Sequence, residues 1–200
     1  GGAPALLTIT AVLVIQCLLF ADGGLLALGC NLFNMGVIPC LVVYPLVFRP
    51  LLRRGVQRGR LTAASVLGAV LSLQLGAFSV VLETTASGIA ALPFAAFLWL
   101  MQPIHLAIGL AEGFVTAGVL VFVWRMRPEL LESTQQRQRL PAGVSLRRLV
   151  LVLAAAALVT AGGLSLLASA HPDGLEWSIQ RITGSAEPAA GDEAHRTAAP

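Results

Sequence analysis

The chain has 200 residues, of which 56% are hydrophobic and 12% are charged, and its formal net charge is +3. Soluble globular domains carry about twice this share of charged residues, so the composition excludes an ordinary soluble enzyme or binding domain. Nucleic-acid binding is also a poor explanation of the basic balance, because in a membrane protein the position of positive charge matters more than its total. The composition predicts an integral membrane protein.

Apolar segments of spanning length recur along the chain. At about 1.5 Å per helical residue, about 20 residues cross a bilayer core of about 30 Å. The segment of residues 37–48 is shorter, and it reaches spanning length only if its helix begins near Asn34 or Met35. We therefore predict an all-α, polytopic transmembrane helix bundle with about four full spans, the last segment being counted among these or as a fifth. The segments are residues 4–21, 37–48, 61–82, 103–124 and 149–169.

Arginine-rich loops fix a predicted topology. Residues 49–60 contain five arginines and no acid, and residues 125–148 contain six arginines. The positive-inside rule places both loops in the cytoplasm, which puts the tail, residues 171–200, outside. After the span of residues 61–82, two further crossings within residues 84–126 would put the second loop on the wrong side. We therefore predict that Ile89–Leu100, which Pro93 interrupts, is a hairpin, a surface helix or a re-entrant element at the outer face.

The most unusual stretch is Ala21–Gly36, which lies between two apolar runs and contains one acid, two amides and four glycines. Asp22 is either a helix cap or a functional acid. Asn31 and Asn34 share a face if the stretch is helical, where they either satisfy backbone groups or line a cavity. Met35, like Cys30, is either a packing residue or a soft metal ligand. All five residues are predicted to lie near the outer face.

His105 and Glu112 are seven residues apart, so they lie on one face of a helix. Ionisable groups inside a span are costly and usually point into the bundle or a wet cavity, so a structural pair and a substrate path are both open. One histidine and one glutamate are incomplete as a metal site. The sequence shows no catalytic or nucleotide-binding motif, and we predict that the chain is not an enzyme.

Two motifs resemble the CbiM/NikM family, the membrane substrate-capture components of cobalt and nickel energy-coupling-factor importers. They are Leu19–Gly36, with its ADGGL and ALGCNLFNMG sequences, and the later His105–Thr116. The family is all-α and membrane-embedded, and the resemblance covers about residues 1–126. It implies that the transported ion is Co²⁺ or Ni²⁺, that no cofactor is permanently bound, and that a coupling subunit and ATPase subunits hydrolyse ATP as partners in the plasma membrane.

A third motif lies beyond the second arginine-rich loop and resembles the accessory component of the same importers. Its residues are Pro172, Asp173, Gly174, Leu175 and Glu176, which spell PDGLE. Fusion of the two components in one chain implies a division into four parts. They are the capture domain, residues 1–126; a cytoplasmic linker, residues 127–147; an accessory segment with one span, residues 148–183; and a polar tail, residues 184–200, in which we expect little order.

The sequence departs from the family in its metal ligands. In the family the metal is held by an amino terminus followed by histidine and by a histidine in a later loop, whereas the first histidine here is His105. We expect the sequence to be a fragment whose metal ligands lie upstream of Gly1. The stretch holding Asn31 and Asn34 would then pack behind those ligands and fix their orientation. The alternatives are a related transporter of another small solute and a non-catalytic membrane scaffold, and cobalt cannot be told from nickel.

Overall fold

A computed structural model describes residues 1–20, 24–88, 92–136, 146–163, 166 and 172–184. Within these ranges every regular element is helical, and the predicted all-α fold is confirmed. One segment is a π-helix, in which hydrogen bonds join residues five apart. The elements are α1 (Gly2–Phe20), α2 (Gly24–Leu32), the π-helix (Phe33–Phe48), α3 (Arg49–Leu52), α4 (Arg58–Ser87), α5 (Phe94–Met126), α6 (Pro128–Gln136), α7 (Arg147–Gly162) and α8 (Gly174–Thr183).

Four helices in the described part of the chain are long and apolar enough to cross a membrane. A fifth predicted span, residues 149–169, coincides with α7 only in part, because several of its residues lie outside the described ranges. The 16 residues of α7 extend about 24 Å, less than the bilayer core. The four spans are Gly2–Leu19, Gly24–Leu52, Arg58–Ser87 and Phe94–Met126.

The second span begins earlier than the sequence indicated. We predicted a start near Asn34 or Met35, but α2 begins at Gly24 and continues into the π-helix without a break. Polar and glycine residues had suggested an interruption. These residues remain helical because the Asn34 amide forms a hydrogen bond with another helix and is not exposed to lipid.

The predicted outer-face element over Ile89–Leu100 is not separate in the described residues. Residues 94–100 are instead the first two turns of α5, which runs through Pro103 to Met126. Pro93 stands at the N-cap of this helix, where its extended backbone suits a proline. The interior Pro103 is tolerated as prolines often are in membrane helices. Residues 89–91 lie outside the described ranges.

The packing of α4 against α5 forms the centre of the fold. A Cβ atom on Gly109 would lie 3.0 Å from the Val70 Cα, and a Cβ atom on Gly113 would lie 2.7 Å from the Val66 Cα. Small residues at such positions let two helix backbones approach closely. The side chain amides of Gln74 and Gln102 also donate to each other's backbone carbonyls, at 2.8 and 3.3 Å. The helix pair is therefore joined by close contact and by polar bonds.

Buried clusters lie at both ends of this helix pair. The cluster at what we call the Glu83 end joins the end of α4, the start of α5 and α8, and its buried members are Ala77, Val81, Leu92, Phe97 and Met101. The cluster at the opposite end, the arginine-loop end, has Leu52, Leu61 and Ala64 at its centre. The turn after α3 and helix α6 therefore lie at one end of the bundle, and α8 lies at the other.

Candidate functional site

Asn34 lies at the Glu83 end of the bundle, in the first turn of the π-helix. Its side chain is only 6% exposed, and its Nδ2 atom donates to the Glu83 Oε2 atom of α4 at 2.9 Å. Because a carboxylate can only accept, this bond fixes the amide with its nitrogen toward Glu83. A neutral amide and a charged carboxylate from two spans are thus joined in a charge-assisted hydrogen bond.

Other polar groups gather around the Glu83 carboxylate. The Ser79 hydroxyl donates to its Oε1 atom at 3.3 Å, and the Cys30 thiol interacts with the same carboxylate. Gly76 allows the close approach, because a Cβ atom at this position would lie 3.3 Å from the Asn34 carbonyl oxygen. We call the side chains of Cys30, Asn34, Ser79 and Glu83 the Asn34–Glu83 cluster.

One atom of this cluster has no hydrogen-bond partner among the described residues. It is the Asn34 Oδ1 atom, which is buried. Buried polar atoms are nearly always satisfied, so this acceptor is available to a donor such as a water molecule or to a cation. Since Nδ2 of the same amide already contacts Glu83, the Oδ1 atom lies close to that carboxylate. Oxygen acceptors of Asn34 and Glu83 therefore lie near one another, an arrangement that suits a positively charged group.

The sequence had pointed to half of this cluster. Asn34 was a candidate, whereas Glu83 and Ser79 were not, because Glu83 marked only the end of a span. The available signal was the spacing of Gly76, Ser79 and Glu83, which places a small residue and two polar residues on one face of α4. The partner across from that face is 49 residues away, and no local pattern encodes such a pairing.

The other candidates of the glycine- and amide-rich stretch have different surroundings. Asn31 is half-buried in the last turn of α2, and Met35 is 47% exposed. Asp22 lies outside the described residues. The stretch thus contributes one buried amide to the cluster, and the side chain of Met35 does not pack in the interior of the described part.

His105 and Glu112 share α5 but have different surroundings. The His105 Nδ1–H group donates to the Met101 carbonyl at 2.8 Å, which leaves Nε2 as the nitrogen with a free lone pair in the neutral ring. The ring packs against Gly174 of α8. Glu112, by contrast, is exposed and forms no hydrogen bond or ion pair with the described residues. Within the described structure the two residues therefore do not form a pair.

The accessory motif forms the beginning of α8. The Asp173 side chain accepts hydrogen bonds from the backbone N–H groups of Leu175 and Glu176, and the Glu176 side chain accepts from the Asp173 N–H. This reciprocal arrangement is a capping box. Gly174 is buried, Leu175 is partly buried and Pro172 is half-exposed. The motif is therefore a helix start that lies against α5.

Metal-ligand geometry is absent from the described ranges, where no three His, Cys, Asp or Glu side chains come together to hold an ion. The Asn34–Glu83 cluster has too few strong ligands to hold a transition metal permanently. Its acceptors suit brief contact with a cation, or contact with ligands that hold one.

The fold and the cluster define a multi-pass helical membrane protein with a polar site at one end. Residues 1–130 match the family model described as "CbiM: Cobalt uptake substrate-specific transmembrane region", and residues 147–199 match the PDGLE domain. The chain belongs to the CbiM family and carries a PDGLE domain after it.

Curated relatives agree with this assignment. The chain is 34% identical over 205 residues to the fused nickel transport protein NikMN of Rhodobacter capsulatus, covering 95% of this chain and 56% of the relative. It is 32% identical over 175 residues to the cobalt transport protein CbiM of Geobacter sulfurreducens, covering 81% of this chain and 48% of the relative. The chain spans about half the length of these relatives. No solved structure matches the chain.

Proposed function

We propose that this chain is the substrate-capture membrane component of an ATP-driven importer of Co²⁺ or Ni²⁺. It takes the ion at the outer face, and ATPase subunits on the cytoplasmic side supply the energy through a coupling subunit. Membership of a family of metal transport components supports this proposal. In this role the chain binds and positions its cargo and performs no covalent chemistry.

The observation that carries the proposal is the orphan acceptor of Asn34 beside the Glu83 carboxylate. A hydrated divalent cation, whose bound water molecules donate hydrogen bonds, supplies the missing partner. Asn34 is buried beside this position, so the attraction of a carboxylate for a cation is stronger here than in bulk water. The cluster therefore serves as the polar lining behind the captured ion.

Orientation follows from the charge pattern. We place the arginine-loop end in the cytoplasm, with residues 49–60 and 125–148, and the Glu83 end outside, with the tail. This arrangement in the plasma membrane puts the Asn34–Glu83 cluster where an incoming ion arrives. It also puts the arginine-rich surface where the partner subunits bind.

Replacing Asn34 with alanine tests the role of the cluster in ion capture. In the protein expressed from its complete coding sequence, we expect Asn34→Ala to weaken Co²⁺ or Ni²⁺ binding about tenfold, because it removes the buried amide from Glu83. Asn31→Ala is the comparison variant, with a smaller expected loss, since Asn31 is only half-buried. Isothermal titration of the purified protein measures both affinities.

Two results would contradict the proposal. If the wild-type protein binds neither ion, another small solute or a scaffold role becomes the better explanation. If it binds an ion and Asn34→Ala binds equally well, the capture function stands but the cluster has no part in it.

The exposed arginines after α3 provide a test of the partner surface. Arg53, Arg54 and Arg58 are exposed, whereas the Arg60 Nη1 atom donates to the Arg54 carbonyl at 2.6 Å and holds the turn. We expect replacement of the three exposed arginines by glutamine to reduce co-purification of the coupling subunit several-fold, because charge on a rim mainly governs association. Arg60 stays in place, so the turn is kept. Undiminished co-purification would place the partner surface elsewhere.

A further inference from the structure

The accessory region contacts the capture domain mainly through one short helix. Among the described elements, α8 packs on α5, while α7 makes no comparable contact with the rest of the bundle. Most side chains of α7 are exposed, and its one buried residue is Leu149. The contact surface of α8 is therefore the place to look for what holds the two domains together.

The first part of this surface is the start of α8. Gly174 is buried against α5, where a Cβ atom would lie 3.1 Å from the His105 Cε1 atom and 3.3 Å from the Ile108 Cδ1 atom. One turn later Ser178 is fully buried, and its hydroxyl donates to the Gly174 carbonyl at 2.7 Å. Small side chains at these two positions let the helix backbone lie directly on α5.

The second part is the apolar face of α8. Leu175, Ile179 and Ile182 recur at the spacing of one helical face and pack on the buried cluster of the Glu83 end. Val81, Phe97 and Met101 of that cluster are at most 1% exposed. On the other side of α8 the Arg181 guanidinium lies 5.2 Å from the centre of the Trp177 ring. The helix is thus amphipathic, and its apolar face is covered by α4 and α5.

The PDGLE residues explain how such a short helix is stable. Isolated helices of this length are marginal in water, so α8 needs both its cap and its packing. Asp173 and Glu176 supply the capping box, Gly174 supplies the close approach and Leu175 supplies the first apolar contact. Each of these four motif residues therefore either starts the helix or seats it on α5.

We propose that the PDGLE motif is a docking element. It clamps α8 onto the outer end of the α4–α5 pair, with Gly174 seated on His105 and Ile108, and this clamp rather than the covalent linker holds the accessory domain on the capture domain. The surface of α4 and α5 at the Glu83 end is accordingly a binding site for a capped amphipathic helix of this kind. The proposal does not depend on which solute the protein transports.

Cutting the linker tests the clamp directly. A protease site is inserted between Gln136 and Leu146 of the full chain, which carries an affinity tag on the capture domain. After cleavage in detergent, we expect the accessory fragment to remain bound to the tagged domain. We expect Gly174→Val to weaken its retention several-fold, because the new side chain meets the ends of the His105 and Ile108 side chains, which must move. Gly162→Val on α7 is the matched control, since a Cβ atom there meets nothing within 4 Å.

Three further variants keep the test decisive. Ile108→Ala in the Gly174→Val background makes room at the contact and is expected to restore part of the retention, as coupled neighbours do. Asp173→Ala removes the cap and is expected to weaken retention about fivefold, whereas Asp173→Asn keeps it. If Gly174→Val elutes as aggregate before cleavage, the retention of the Asp173→Ala fragment compared with the Asp173→Asn fragment tests the proposal. Loss of the wild-type fragment on cleavage, or full retention of the Gly174→Val or Asp173→Ala fragment, overturns the proposal.

Discussion

Replacing Glu83 with glutamine is expected to reduce Co²⁺ or Ni²⁺ uptake about tenfold to a hundredfold while leaving the helix bundle folded. Glutamine keeps an oxygen acceptor for the Asn34 Nδ2–H group, so the bond between the π-helix and α4 survives. The negative charge is lost, and with it an interaction with a charged partner of about 1.5–3 kcal/mol. Uptake of radioactive metal by cells expressing the whole importer, at sub-saturating metal, measures the effect.

Two companion variants separate charge from structure. Glu83→Ala removes the acceptor as well, so both uptake and thermal stability should fall, because the buried Asn34 amide loses its partner. Ser79→Ala removes only the longer 3.3 Å bond to the carboxylate and should change uptake little. If Glu83→Gln transports at the wild-type rate, the carboxylate charge has no role in handling the ion.

The second large effect is expected from Gly113 of α5. A valine at this position would place its Cβ atom 2.7 Å from the Val66 Cα atom and 3.3 Å from the Val66 carbonyl oxygen. Both neighbours are backbone atoms of α4, which cannot rotate away as a flexible side chain can. The two helices must separate, and we expect the free energy of unfolding to fall by about 2 kcal/mol or more.

Gly118 provides a matched control on the same helix. A Cβ atom at Gly118 meets nothing within 4 Å, so Gly118→Val should stay within about 0.5 kcal/mol of the wild type. Unfolding in mixed detergent micelles, followed by circular dichroism, compares the two variants under one condition. Equal stability of Gly113→Val and Gly118→Val would show that α4 and α5 do not pack as described.

The sequence predicted the four described spans because apolar segments of sufficient length cross a bilayer as helices. It placed the segment of residues 61–82 inside α4 and that of residues 103–124 inside α5, and it predicted the all-α class. Helix ends were less accurate, since hydropathy does not report a helix that continues with polar residues. The early start of α2 at Gly24 and the passage of α5 through Pro103 are both of this kind.

The candidate site was predictable only in part for a related reason. Asn34 stood out because an amide in an apolar region needs a partner, but that partner belongs to another span. Glu83 lies five residues before Gly88, whose backbone φ of 65° ends α4, so it has the position of an ordinary polar residue at a helix end. His105 was recognised as unusual, yet its contact with Gly174 depends on the packing of α8 across the linker.

Helix α4 has a different neighbour on each of two faces near the Glu83 end. Gly76, Ser79 and Glu83 face Asn34 of the π-helix, while Ala77 and Val81 belong to the cluster that receives α8. The polar contact and the cluster beneath α8 therefore share one helix. If the ion is captured at the Asn34–Glu83 cluster as proposed, thermodynamic linkage requires that whatever factor the docking of α8 contributes to ion affinity, the ion contributes to the docking of α8. The accessory helix and the cargo are in this sense two ligands of one helix.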